Sequence, residues 1–127
     1  MYMGSQRQTK FVAVVDDDDS VRTAMQGLLK SLGLQARVYA SGEEFLDSGQ
    51  HRETACLIAD ISMPGMSGLD LQARLNAERC PIPTIFITAH GDEEMRLQAM
   101  RAGAVEFLPK PFDDELLVES VRAALER

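Results

Sequence analysis

The chain is poor in cysteine, in long apolar runs and in positive charge, and each shortage narrows its function. Two cysteines, Cys56 and Cys80, cannot make a disulfide framework in 127 residues. Cys56 opens an apolar run and Cys80 precedes Pro81. Both read as small buried thiols in a reducing cytosol, so the expected location is cytoplasmic. No apolar run approaches the roughly 18 residues of a membrane span, and Met1 to Lys10 has no signal-peptide core. Residues 1–10 are expected to be a flexible leader and residues 11–127 a single domain. Thirteen basic against 20 acidic residues give a net charge of −7, which argues against direct contact with a nucleic-acid backbone. There is no His/Cys set at metal spacing, no glycine-rich phosphate loop and no Ser–His–Asp pattern. Repeats, linkers and low-complexity segments are also missing.

The composition, 45% hydrophobic and 26% charged, suits one globular domain with its own core. Apolar runs with strand character at 11–16, 35–39, 55–60, 83–88 and 104–108 alternate with helical patterns at 19–32, 42–49, 68–79, 92–102 and 113–126. Val21, Met25, Leu28, Leu29 and Leu32 make one face of the first helix, and Gly33 suits its C-terminal cap. Ser41 with Glu44 forms a capping-box pattern for the second helix. Asp92 can cap the fourth, and Asp113 or Asp114 the fifth, where Leu117, Val121, Ala124 and Leu125 are expected to face inward. Strict alternation with short connections calls for an α/β fold, a parallel sheet with helices on both faces.

Four of the apolar runs end in a group capable of chemistry: Asp16 and Asp17, Asp60, Thr88, and Lys110. Ligand sites of open parallel sheets lie beyond the carboxyl ends of the strands. Clustered carboxylates bind Mg²⁺, while a hydroxyl and an ammonium suit phosphate oxygens. Each residue also has a plainer reading. Asp16 to Asp19 can cap a helix, and Asp60 can be an ordinary turn residue. Thr88 can serve strand propensity and Lys110 can be solvated. Taken together, Asp60 becomes a candidate nucleophile, able to form an aspartyl phosphate, with a cation shielding the two anions. Pro109 and Pro111 stiffen the backbone around Lys110. His90 lies near the same rim and reads as a surface residue or a phosphate contact.

The segments Val14-Val15-Asp16-Asp17-Asp18, Asp60-Ile61-Ser62-Met63-Pro64-Gly65-Met66-Ser67-Gly68, Ile87-Thr88-Ala89-His90-Gly91, Gly103-Ala104 and Lys110-Pro111-Phe112, in this order and spacing, resemble the receiver domain of bacterial two-component response regulators, FixJ/NarL-type or related. The resemblance implies a flavodoxin-like sheet of order 2-1-3-4-5. It implies Asp60 as phosphoacceptor from the phosphohistidine of a sensor histidine kinase or a phosphotransfer protein. Asp16, Asp17, Asp60 and the Ser62 backbone carbonyl would hold Mg²⁺ (or Mn²⁺). Thr88 and Lys110 would grip the phosphoryl group, Phe107 would be the aromatic switch, and Lys110–Pro111 would be a cis peptide. Ser62 and His90 would modulate phosphoryl lifetime. The expected product is a signalling switch rather than a dedicated enzyme, with a phosphorylation-dependent homodimer through the fourth helix, fifth strand and fifth helix. A DNA-binding helix-turn-helix does not occur within the chain, which suits either a stand-alone receiver or one cut from a longer protein.

Two other readings compete. Asp16-Asp17-Asp18-Asp19-Ser20 also fits the D-x-D-x-[ST] motif of haloacid-dehalogenase-like phosphatases, with Asp16 as nucleophile, although the chain leaves no room for a cap domain. A pseudo-receiver would keep the fold and signal by binding without phosphorylation.

Overall fold

Apolar side chains on strands buried on both faces, and on one stripe of each helix, dictate a three-layer arrangement. The computed structural model describes residues 10–126; apart from Lys10, the segment expected to be a leader lies outside them. The elements are β1 (Phe11–Val15), α1 (Asp19–Ser31), β2 (Ala36–Tyr39), α2 (Gly42–Asp47), β3 (Thr54–Asp60), α3 (Gly68–Ala77), β4 (Thr84–Thr88), α4 (Glu93–Arg101), β5 (Glu106–Pro109) and α5 (Asp114–Leu125). All strand pairs are parallel, in the order β2-β1-β3-β4-β5. This is the flavodoxin-like order.

Alternation along each strand splits the core in two. Phe11, Ala13, Val15, Leu57, Ala59 and Phe86 face α2, α3 and α4, meeting Phe45, Leu71, Leu75 and Ala99. Val12, Val14, Cys56, Ile58, Ile85 and Ile87 face α1 and α5, meeting Met25, Leu29, Leu117, Val121 and Ala124. Each fully buried Leu, Ile or Phe among them contributes about 1.5–3 kcal/mol of transfer free energy. Both cysteines are free and buried, and burial pushes the Cys56 thiol up to about 12.

Local chemistry sets the helix ends. Asp18 caps α1 through the amides of Ser20 and Val21, and Asp92 and Asp113 cap α4 and α5. Ser67 and Asp70 form a reciprocal capping box on α3, with aspartate in the place usually taken by Glu or Gln. On α2 only half of the expected box forms. Ser41 accepts from the Glu44 amide, but the Glu44 carboxylate accepts from Ala40 instead. β5 begins at Glu106 rather than at the expected residue 104. Gly103 takes a φ of +107°, and the Ala104 amide still donates to the Ala99 carbonyl, closing the end of α4. α2 stops at Asp47, before Gly49 at φ +72°. Leu125, expected to face inward, is 36% exposed, while Leu117, Val121 and Ala124 of α5 are buried. A 3₁₀ turn at His51–Glu53, for which the sequence carries no clear signal, leads into β3.

Two glycines test this packing in opposite directions. Gly27 lies in the exposed middle of α1, and a Cβ added there would meet nothing within 4 Å. Gly27→Ala is expected to raise stability by about 0.5–1 kcal/mol. At Gly68 a Cβ would fall 2.6 Å from the Asp60 carbonyl oxygen and 2.9 Å from Ile61 Cα, both backbone atoms that cannot swing away. Gly68→Ala is expected to cost about 1–3 kcal/mol. Urea titrations of the two variants check both signs.

Candidate functional site

Parallel pairing in register brings the strand ends to one rim. Val15 of β1 pairs with Ala59 of β3, and Asp60 pairs with Ile87 of β4. The next residues along are Asp16 and Thr88, so the groups expected to act together leave the sheet side by side. Oxygens of Asp16, Asp17 and Asp60 all lie within 4.8 Å of one another. Asp16 and Asp60 are buried, and Asp17 is exposed.

Like charges this close repel, and the local structure answers in three ways. The Asp16 Oδ1 accepts the Asp18 amide at 2.9 Å, and the Asp60 Oδ1 accepts the Ser62 amide at 2.9 Å. Lys110 Nζ donates to Asp60 Oδ2 at 2.8 Å. The same ammonium stands 2.9 Å from Asp16 Oδ2, but off the line a hydrogen bond needs, so this contact is an ion pair only. Asp16 Oδ2 is thus a buried carboxylate oxygen with no hydrogen-bond donor. A free lone pair amid three converging carboxylates is the donor chemistry that a hard divalent cation takes. Asp16, Asp17 and Asp60 therefore fit such an ion.

Burial pushes the Asp16 carboxyl above its ordinary value; the Asp60 charge adds to this, and the Asp18 amide and Lys110 oppose it. Burial alone would lower Lys110. Its hydrogen bond to Asp60 and its ion pairs with Asp60 and Asp16 outweigh that and hold the ammonium above its ordinary value.

The other expected residues stand around this cluster. Thr88 is buried at the end of β4; its carbonyl accepts the Lys110 amide at 2.9 Å, and its hydroxyl accepts the His90 amide at 3.3 Å. Ser62 and His90 are exposed on the loops after β3 and β4. Phe107, on β5 opposite Phe86, is half-buried and packs on the α2–α3–α4 side of the core. The Lys110–Pro111 bond is cis. The loop after Asp60 is held at both ends. The Gly68 amide donates to the Ile61 carbonyl at 2.9 Å, and the Glu43 carboxylate accepts the Met66 amide at 3.2 Å.

One residue at the site is not among those expected from sequence. Arg22 reaches back from α1 to donate to the Asp16 carbonyl at 2.7 Å and to the Asp19 carboxylate at 3.1 Å. It ties down the loop that carries Asp16 and Asp17. Its position one turn beyond the acidic run is the only signal the sequence offers.

The domain thus carries a carboxylate cluster and a paired lysine at the carboxyl rim of a five-stranded parallel α/β sheet. The family model "Response regulator receiver domain" matches residues 12–122. Nodulation protein W of Bradyrhizobium diazoefficiens is 47% identical over 116 residues, covering 91% of this chain and 51% of that protein. The transcriptional regulatory protein FixJ of Azorhizobium caulinodans is 44% identical over 116 residues, covering 91% of this chain and 55% of that protein. The crystal structure of FixJ-N superposes with a TM-score of 0.84 at 38% identity, covering 94% of this chain and 96% of that one. The chain belongs to the receiver-domain family of two-component response regulators. It spans about half the length of these curated relatives. Among the described residues no helix is long and apolar enough to cross a membrane.

The raised Asp16 carboxyl has a definite sign in stability. A carboxyl raised on folding binds more protons in the native state, so its contribution is full below the unfolded value and is lost as pH rises through the folded value. Metal-free protein should therefore gain stability as pH falls from neutral through the raised Asp16 value. Asp16→Asn should abolish that segment and stabilise the metal-free protein at neutral pH. Mg²⁺ at a hundred times its dissociation constant should add about 2.7 kcal/mol to the wild type, and much less to Asp16→Asn. Chemical denaturation across pH, with Mg²⁺ or with a chelator, checks all three.

Proposed function

We propose that the domain is a phosphorylation switch in which Asp60 accepts a phosphoryl group from the phosphohistidine of a sensor histidine kinase or a phosphotransfer protein. The observation that carries this reading is the pairing of Asp60 with Lys110 at 2.8 Å inside the carboxylate cluster. An Asp60 oxygen attacks phosphorus, the P–N bond of the phosphohistidine breaks, and the imidazole leaves to take up a proton. Mg²⁺ or Mn²⁺, held by Asp16, Asp17, Asp60 and the Ser62 carbonyl, would supply charge neutralisation for two anions that must meet.

Lys110 needs little movement to serve the product, because its ammonium already rests on the acceptor oxygen and is protonated throughout the neutral range. The Thr88 hydroxyl sits at the end of the neighbouring strand and can turn to donate to a phosphoryl oxygen. Phosphate adds charge and acceptor oxygens that draw both groups. Movement of Thr88 opens or closes space for Phe107, and the face of α4, β5 and α5 changes with it. On that face Glu93 and Arg96 already pair within α4 at 2.7 Å. Glu94, Arg101, Glu106, Glu119 and Arg122 remain to meet a second copy, charge against charge. Receiver domains of this family are signalling proteins, and slow autodephosphorylation is the only turnover this reading assigns.

The test is intact-protein mass after incubation with a small phosphodonor and Mg²⁺, for wild type and Asp60→Asn. One Mg²⁺-dependent phosphoryl adduct on the wild type and none on Asp60→Asn is expected. An adduct that survives in Asp60→Asn supports the phosphatase-like use of Asp16, and no adduct on either supports a receiver that signals by binding alone.

Ser62 and His90 are exposed, two residues past Asp60 and Thr88, and in this reading they border the route of an attacking water. The small Ser62 side chain leaves that route open. Ser62→Asn and His90→Tyr narrow it and should slow autodephosphorylation by about tenfold each, roughly 1.4 kcal/mol of barrier. Adduct lifetimes by mass spectrometry measure this, and parent-like lifetimes contradict it.

A further inference from the structure

Gly91 lies on the loop between Thr88 and α4, two residues before the α4 helix proper, and is itself solvent-exposed. Its backbone does not need glycine. Positive φ occurs at Gly33, Gly49, Gly65 and Gly103, but not at Gly91. What excludes a side chain is space. A Cβ on Gly91 would fall 2.5 Å from Thr88 Cγ2, and 2.7 Å and 2.8 Å from Cε2 and Cζ of Phe107. Real Cβ atoms do not approach other atoms so closely. The Thr88 methyl and the Phe107 ring therefore press against the same spot, and that spot is the volume a side chain at 91 would fill.

We propose that Gly91 is a positioning residue for the switch. By lacking a side chain, it leaves the Phe107 ring room beside the Thr88 methyl before any phosphoryl group arrives, and so sets how readily Asp60 is phosphorylated. The proposal deepens the reading of Asp60, Thr88 and Phe107 given above and rests on it for its functional half. Its structural half stands on the close approach alone. Thr88 is buried on the last residue of β4, with packed neighbours on every side until a phosphoryl group draws it. Phe107 is only half-buried and projects from β5, the strand at the sheet edge. The ring is thus the group that gives way. A methyl at 91 should expel it toward solvent and deplete the ring-in population, and phosphorylation that favours that population slows in proportion.

The test uses Gly91→Ala, Phe107→Ala and the double variant in the full 127-residue chain. Magnetisation transfer by NMR between the Thr88 methyl and the Phe107 ring protons reads the contact directly in unphosphorylated protein. It is expected in the wild type and lost in Gly91→Ala. Phosphorylation by a small donor, followed by mass, is expected to slow about five- to tenfold in Gly91→Ala. In the Phe107→Ala background the same Gly91→Ala change should have no further effect, because the ring it displaces is gone.

Persistence of the Thr88–Phe107 contact in Gly91→Ala overturns the proposal. So does an equal rate penalty with and without the Phe107 ring, which would mean that the methyl acts on Thr88 alone. If Gly91→Ala fails to fold, recovery of folding in the double variant supports the clash and continued failure refutes it. A wild type that takes up no phosphoryl group at all removes the function proposed for Asp60, yet leaves the NMR contact to decide the placement of the ring.

Discussion

Repulsion among three carboxylates, held at the ends of β1 and β3 by parallel register, is the constraint around which the domain is arranged. Left alone, Asp16, Asp17 and Asp60 would drive their loops apart. Backbone amides of Asp18 and Ser62 each donate to one carboxylate oxygen, and the Lys110 ammonium touches two of the three carboxylates. Arg22 fastens the Asp16 carbonyl from behind. One buried carboxylate oxygen of the cluster, Asp16 Oδ2, remains without a hydrogen bond. The cluster is thus stable enough to fold and incompletely satisfied, the condition in which a divalent cation or a phosphoryl group changes the balance most.

The scaffold that holds this tension is stiff where the carboxylates emerge and lighter toward the far edge. β1, β3 and β4 are buried along their whole lengths or nearly so, whereas β5 is short and carries exposed Glu106 and Pro109 beside half-buried Phe107. A displacement that begins at Asp60 meets rigid packing toward β1, and a looser strand toward β5. Lys110 and Thr88 link the two regions, since the Lys110 amide donates to the Thr88 carbonyl at the point where β4 and β5 part. In the proposed switch, this distribution of packing would channel change toward β5 and α4.

Much of this is legible in the amino-acid order, because it follows from short-range rules. Apolar runs ending in Asp16, Asp60, Thr88 and Lys110 announce both the strands and the groups at their tips. Asp18, Asp92 and Asp113 mark helix starts. Most features that the order does not reveal share a different cause: they depend on packing that local spacing does not encode. β5 starts later than its apolar run suggests because Ala104 is still engaged with Ala99 across the end of α4. Leu125 has the spacing of a core residue, but it is 36% exposed while its neighbour Ala124 takes the buried position on α5. The amino-acid order assigns Gly68 and Gly91 no individual role, and only the approach of Asp60 and Ile61 to one, and of Thr88 and Phe107 to the other, gives them a reason. Arg22 resembles any helix-surface arginine until its carbonyl partner is known.

The central claim is that, of three carboxylates within 4.8 Å of one another, Asp60 is the one that takes the phosphoryl group. Borohydride reduction decides this directly, because it converts an aspartyl phosphate to homoserine and leaves free carboxylates untouched. After phosphorylation of the wild-type chain with a small donor and Mg²⁺, reduction and peptide mass mapping should place homoserine at residue 60. Homoserine at residue 16 or 17 would contradict the account.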